Sequence, residues 1–89
     1  MRTEWLYVMI ESELKELICN RIDYLRRQQG LNIEALAYQS GLSKGGLSEI
    51  LNHKKSPQIL TVAKICSTLG IYLEDFFNTP ELKDFVDKI

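Results

Sequence analysis

Apolar residues recur along this chain three and four positions apart and do not alternate. Between Glu11 and Gln29 they fall at Leu14, Leu17, Ile18, Ile22 and Leu25, the spacing of a helix with one buried stripe. Gly30 stands where a helix C-terminus commonly takes a positive φ. Asn32 is placed to cap a second helix over about Ile33 to Gln39, which buries Leu36 and Ala37 and carries Glu34 in its first turn, where the helix dipole favours an acid. Ser40-Gly41-Leu42-Ser43 then breaks the period: Gly41 permits a sharp turn, Leu42 is an apolar plug and Ser43 is a strong N-cap residue. The third helix follows from about Lys44 to Leu51, with Leu47, Ile50 and Leu51 on its apolar side. Gly45 and Gly46 each cost its first turn up to about 1 kcal/mol relative to alanine.

Asn52 to Pro57 is polar and basic and has no apolar period, so it reads as a loop. Ile59, Val62, Ile65, Cys66 and Leu69 restore the helical spacing up to Gly70, a second glycine at a helix end. Leu73, Phe76 and Phe77 predict a fifth helix of one or two turns. Thr79-Pro80-Glu81 combines an N-cap, a proline at the first helical position and an acid in the first turn. Leu82, Phe85, Val86 and Ile89 would then form one apolar face. No alternating run long enough for a sheet is present, so the expected class is all-α, organised as an apolar N-terminal extension (1–10), a helical core domain (11–78) and a C-terminal helix (79–89).

Length and composition narrow the function. Eighty-nine residues, 45% hydrophobic and 26% charged, are expected to form one folding unit with no room for a separate ligand-sensing domain. The run Trp5-Leu6-Tyr7-Val8-Met9-Ile10 is too short to span a bilayer and its acidic flanks do not suit a signal peptide, which gives a cytoplasmic expectation with no membrane partner. Met9 is an alternative start to Met1. Cys19 and Cys66 are distant in sequence and form no Cys-x-x-Cys pair, so two reduced thiols are expected, with no disulfide and no metal. His53, the lone histidine, has no second ligand or catalytic partner at suitable spacing. Gly45-Gly46 has neither the preceding strand nor the Gly-Lys-Ser/Thr run of a phosphate-binding loop. An enzyme, a cofactor and a small-molecule ligand are therefore not expected. Net charge is −1, but residues 20–64 hold seven basic residues against three acidic, a balance of +4, while the remainder hold four against nine, a balance of −5. A basic middle of this kind can face a polyanion, although solvated helix faces account for it equally well.

The stretch Leu36-Ala37-Tyr38-Gln39-Ser40-Gly41-Leu42-Ser43, with Leu47 and Ile50 beyond it, has the small residue, turn glycine and apolar offsets that let two helices cross steeply over a short connection. The second of them would project outward, able to enter a major groove. Residues 20–77 resemble the Cro and phage-repressor (XRE-like) helix-turn-helix family nearly throughout. The matching elements are Ile22, Leu25-Arg26, Gly30-Leu31-Asn32, Leu36-Ala37, Gly41-Leu42-Ser43, Leu47-Ser48, Ile50, Lys54-Lys55-Ser56-Pro57, Val62, Ile65, Leu69-Gly70-Ile71 and Leu73 through Phe77. The resemblance implies a five-helix repressor-like core with an additional C-terminal helix, in which Ile33 to Gln39 positions and Lys44 to Leu51 recognises. It implies base contacts by Lys44, Gly45, Ser48 and Glu49, and phosphate contacts by Asn32, Ser43, Asn52, His53, Lys54 and Lys55. This chain departs from the family pattern in three places. Ile33 replaces a glutamine that bridges phosphate and recognition helix. Gly45, Gly46 and Glu49 make base readout sparse, with Glu49 suited to a cytosine amino group. His53 stands where glycine is common, at a position favouring positive φ.

The apolar ends have two readings. Packed on their own protomer, they enlarge a small core. Left exposed, Trp5, Leu6, Phe85, Val86 and Ile89 would form a homodimer interface that brings two recognition helices to half-sites about 34–36 Å apart, and this second reading is preferred. The function expected from the resemblance is a double-stranded DNA-binding transcriptional regulator, a repressor or autoregulator of a small operon acting on a pseudo-palindromic operator. The alternative is a protein-interaction module that keeps the fold with weakened DNA binding.

Overall fold

The computed structural model describes the backbone of residues 3–88 and the side chains of 6–87. Six helices follow one another: α1 (Thr3–Gln28), α2 (Ile33–Gln39), α3 (Lys44–Leu51), α4 (Ile59–Leu69), α5 (Leu73–Phe76) and α6 (Pro80–Lys88), with no strand among the described residues. The all-α reading with a sixth helix after a five-helix core holds.

α1 begins about two turns before the expected Glu11. Neither glycine nor proline occurs between Thr3 and Gln28, and Trp5 to Ile10 continue the helix although their apolar spacing differs from that of the following turns. At about 1.5 Å per residue the helix is about 39 Å long, close to the molecule's longest dimension of 45 Å. Among its described side chains the first fully buried one is Cys19, whereas Leu6, Tyr7, Val8 and Met9 are exposed. Arg26 and Arg27 in its last turn complement the dipole.

The helix ends share one device. Past α1, Gly30 (φ 68°) donates its N–H to the Arg27 carbonyl and Leu31 to that of Arg26, at 3.0 and 3.2 Å. This pair of bonds satisfies carbonyls that the helix leaves open. Gly41 and Leu42 repeat it past α2 on Tyr38 and Ala37, and Gly70 and Ile71 repeat it past α4 on Ser67 and Cys66. Past α3 the same bonds run from His53 to Ile50 and from Lys54 to Glu49, and His53 takes φ 62°.

The core is built from Cys19, Ile22 and Leu25 of α1, Leu36 and Ala37 of α2, Leu47 and Ile50 of α3, Val62, Ile65, Cys66 and Leu69 of α4, and Phe76 of α5. Burial of each large member stabilises by about 1.5–3 kcal/mol. α2 and α3 pack on each other, α3 also on α1, and α2 on α4. The buried Ser40 keeps its hydroxyl paired with Thr68 at 2.8 Å. Burial pushes the Cys19 and Cys66 thiols above the ordinary value, an effect that Lys15 and Arg21 respectively reduce.

α6 packs on α1. Thr79 caps it, with Oγ1 accepting from the Leu82 N–H at 3.2 Å. Leu82 and Phe85 are buried inside the protomer, Phe85 only 4% exposed. Phe85, expected at an interface between copies, is thus covered by its own chain. Val86, expected on the same face, is 66% exposed, and Ile89 lies outside the described residues.

Candidate nucleic-acid interface

Two caps and a turn fix the geometry of α2 and α3. Asn32 is extended (φ −79°, ψ 171°) and its Oδ1 accepts from the Ala35 N–H at 2.7 Å. Gly41 reverses the chain after α2, and Leu42 packs against the core as the expected plug. Ser43 is likewise extended (φ −76°, ψ 147°), and its Oγ accepts from the Gly46 N–H at 3.0 Å. A Cβ on Gly46 would lie 2.9 Å from that Oγ, whereas one on Gly45 would meet nothing within 4 Å. The two glycines therefore differ: Gly46 makes room for the cap and Gly45 leaves bare backbone on an open surface.

With Leu47 and Ile50 buried, the opposite side of α3 is turned outward. Lys44, Gly45 and Glu49 are exposed and Ser48 is half-buried. The Ser48 hydroxyl accepts from Asn52 Nδ2 at 3.3 Å, which ties a residue expected to meet bases to one expected to meet phosphate. Asn32 and Ser43 each use their side-chain oxygen as a cap, so any contact to an outside oxygen must come from Asn32 Nδ2, the Ser43 hydroxyl proton or the backbone amides that the first turn of α3 cannot pair internally.

The following loop separates its members. His53 is half-buried and its Nε2 lies 3.1 Å from Oδ1 of Asn20 in α1, so the imidazole braces the loop against the first helix. Lys54 and Lys55 are exposed. A shallow cleft of about 250 Å³ beside them is lined in part by Ser43, Gly46, Lys55, Pro57 and Thr61, joining the start of α3 to the start of α4. Of the residues expected at an interface between copies, Leu6 and Val86 are exposed, while the side chain of Trp5 lies outside those described.

Sequence reasoning missed how many cations the fold uses itself. Arg21 donates from Nε to the Phe76 carbonyl at 2.9 Å and from Nη2 to that of Asp75 at 3.1 Å, and its guanidinium stands 5.9 Å from the Phe76 ring centroid. Arg26 pairs with Asp23 at 2.7 Å and donates from Nη1 to the Leu31 carbonyl at 2.8 Å; Arg27 reaches the other Asp23 oxygen at 2.9 Å. Lys44 Nζ donates to Glu34 Oε1 at 3.0 Å across the turn. Only the Asp23 pairs, at i,i+3 and i,i+4, follow a spacing that a helix makes legible. Lys54, Lys55 and Lys64 have no ion-pair partner among the described residues.

The helix-turn-helix family model matches residues 22–76, which includes α2, α3 and the loop beyond. The chain is 39% identical over 64 residues to the HTH-type transcriptional regulator PuuR of Escherichia coli, a match covering 72% of this chain and 35% of that protein. It is 29% identical over 68 residues to the HTH-type transcriptional regulator SutR of the same organism, covering 76% and 38% respectively. Among solved structures, an HTH_3 family transcriptional regulator from Vibrio cholerae superposes with a TM-score of 0.68 at 35% identity, over 83% of this chain and 39% of the other. The chain thus spans a little over a third of the length of these relatives. No helix of the described residues is long and apolar enough to cross a membrane. Its buried pattern, its capped turn and the match over 22–76 all converge on one assignment: the chain belongs to the helix-turn-helix family.

Proposed function

We propose that this chain is a DNA-binding transcriptional regulator that lays α3 in the major groove of double-stranded DNA. The observation that carries the reading is the division of α3 into two sides. Leu47 and Ile50 anchor it in the core, while Lys44, Gly45, Ser48 and Glu49 stand outward beside a loop bearing two unpaired lysines. A helix held in this way presents donors, acceptors and bare backbone to base edges, and Lys54 and Lys55 supply the phosphate contacts that fix its register. The family membership and the relatives named as transcriptional regulators support the same reading.

The protein acts as a homodimer repressing a small operon through a pseudo-palindromic operator. Support for self-association comes from the exposed apolar turns of α1 at Leu6, Tyr7, Val8 and Met9 and from Val86, whereas the buried Phe85 offers no such support. One α3 reads few base pairs, and a two-fold pair reads two half-sites.

Selection from a random double-stranded pool at low salt tests the function. An approximately palindromic motif is expected, bound with an affinity that falls steeply with salt. Lys54→Glu with Lys55→Glu should remove binding without unfolding the domain. A folded wild-type protein that enriches no motif, or a double variant of unchanged affinity, would overturn the reading and favour a protein-interaction module.

A further inference from the structure

Lys44 occupies the first position of α3, the positive end of the helix dipole, where a cation is electrostatically misplaced. α3 has no acid in its first turn to offset it. The offset comes from another helix: Glu34, in the first turn of α2, accepts from Lys44 Nζ at 3.0 Å. Both side chains are largely in solvent, Glu34 at 71% and Lys44 at 64% exposure. An exposed pair of this kind contributes little to folding, so its consequence lies in what it presents outward.

We propose that Glu34 is a positioning residue that sets sequence discrimination through Lys44, a proposal that rests on the DNA-binding reading above. An unpaired lysine at the tip of α3 would seize any phosphate, since it carries a full charge, an additional favourable dipole and a flexible stem. Paired with Glu34, the two side chains carry no net charge, so they gain nothing from the phosphate backbone that every sequence offers. The ammonium still has N–H groups beyond the one Glu34 occupies, and these remain free to donate to acceptors such as guanine O6 and N7. Glu34 therefore lowers binding to arbitrary DNA while leaving base readout available.

The test compares wild type, Glu34→Gln, Lys44→Met and the double variant on a mixed-sequence duplex between about 50 and about 200 mM salt. Releasing Lys44 to one further phosphate steepens the salt slope by about 0.9, so over that fourfold range Glu34→Gln should lose about 3.5-fold more affinity than wild type, from a higher starting affinity at low salt. In the Lys44→Met background the Glu34 change should have no such effect. On the motif enriched by selection, Glu34→Gln should show a reduced preference over mixed sequence. A Glu34→Gln protein that matches wild type in slope and preference would overturn the proposal, as would an increment that persists without Lys44, because the carboxylate would then act by simple repulsion of DNA. A wild-type protein with no DNA affinity at all would overturn the functional reading as well, whereas DNA binding indifferent to Glu34 overturns this proposal alone.

Discussion

Gly45 and Gly46 are adjacent, helical and chemically identical, yet alanine should act differently at each. At Gly45 the added methyl meets nothing within 4 Å, so the only effect on the free protein is relief of the glycine penalty, about 0.8–1.0 kcal/mol of added stability. For a domain of this size that raises the melting temperature by about 4–8 °C. At Gly46 the same gain is opposed, because the methyl would lie 2.9 Å from Ser43 Oγ. The hydroxyl must rotate away and give up its 3.0 Å bond to the Gly46 N–H, and loss of a serine N-cap costs about 1 kcal/mol. The two contributions nearly cancel, so thermal or urea unfolding should show Gly45→Ala stabilised and Gly46→Ala close to wild type. Ser43→Ala isolates the cause: in that background no cap remains to lose, and Gly46→Ala should recover its full propensity gain. Equal stabilisation by the two alanines in the wild-type background would refute the reasoning. The more stable Gly45→Ala protein should also bind duplex DNA more weakly, since its methyl projects from the surface proposed to approach the bases.

Two further outcomes probe the rest of the fold. Phe85→Ala should cost about 3–5 kcal/mol, as for other buried phenylalanines, measured by urea unfolding; a loss below about 0.5 kcal/mol would mean that α6 is not part of the protomer's core. Burial raises the Cys19 and Cys66 thiols, so above the ordinary value of 9.0 the unfolded chain releases these protons before the folded one. Unfolding free energy should therefore be insensitive to the thiols below about pH 9 and fall as pH rises beyond it, and Cys→Ala variants at both sites should flatten that decline.

The elements were legible because their ends are marked. Gly30, Gly41 and Gly70 stop three helices at positive φ, and Asn32, Ser43 and Thr79 start three. The start of α1 had no such mark. A change of apolar spacing near Glu11 resembles a boundary, but spacing records which side is buried and does not stop a helix that contains no breaker. The role of His53 was visible only as a departure from glycine. Its backbone does what glycine does at the other three ends, and its ring adds what glycine cannot, a bond to Asn20 thirty-three positions away.

The outward side of α3 could be read because burial of Leu47 and Ile50 leaves Lys44, Gly45 and Glu49 no other place to go. The charge map was less faithful, for a physical reason. A count of +4 over residues 20–64 treats every cation as available to a polyanion, whereas a guanidinium is also a good partner for carbonyls and carboxylates within the fold. Arg21 is engaged by α5 and Arg26 and Arg27 by Asp23, bonds that a sequence pattern marks only at helical spacing. Lys44 is matched by Glu34. Within residues 20–64, positive charge with no internal partner is thus confined to Lys64 and to the loop after α3, and the loop lysines adjoin the outward side of that helix. The basic middle of the chain is in effect a basic loop, which supports the proposed phosphate contacts of Lys54 and Lys55 and the proposal that α3 discriminates by hydrogen bonding.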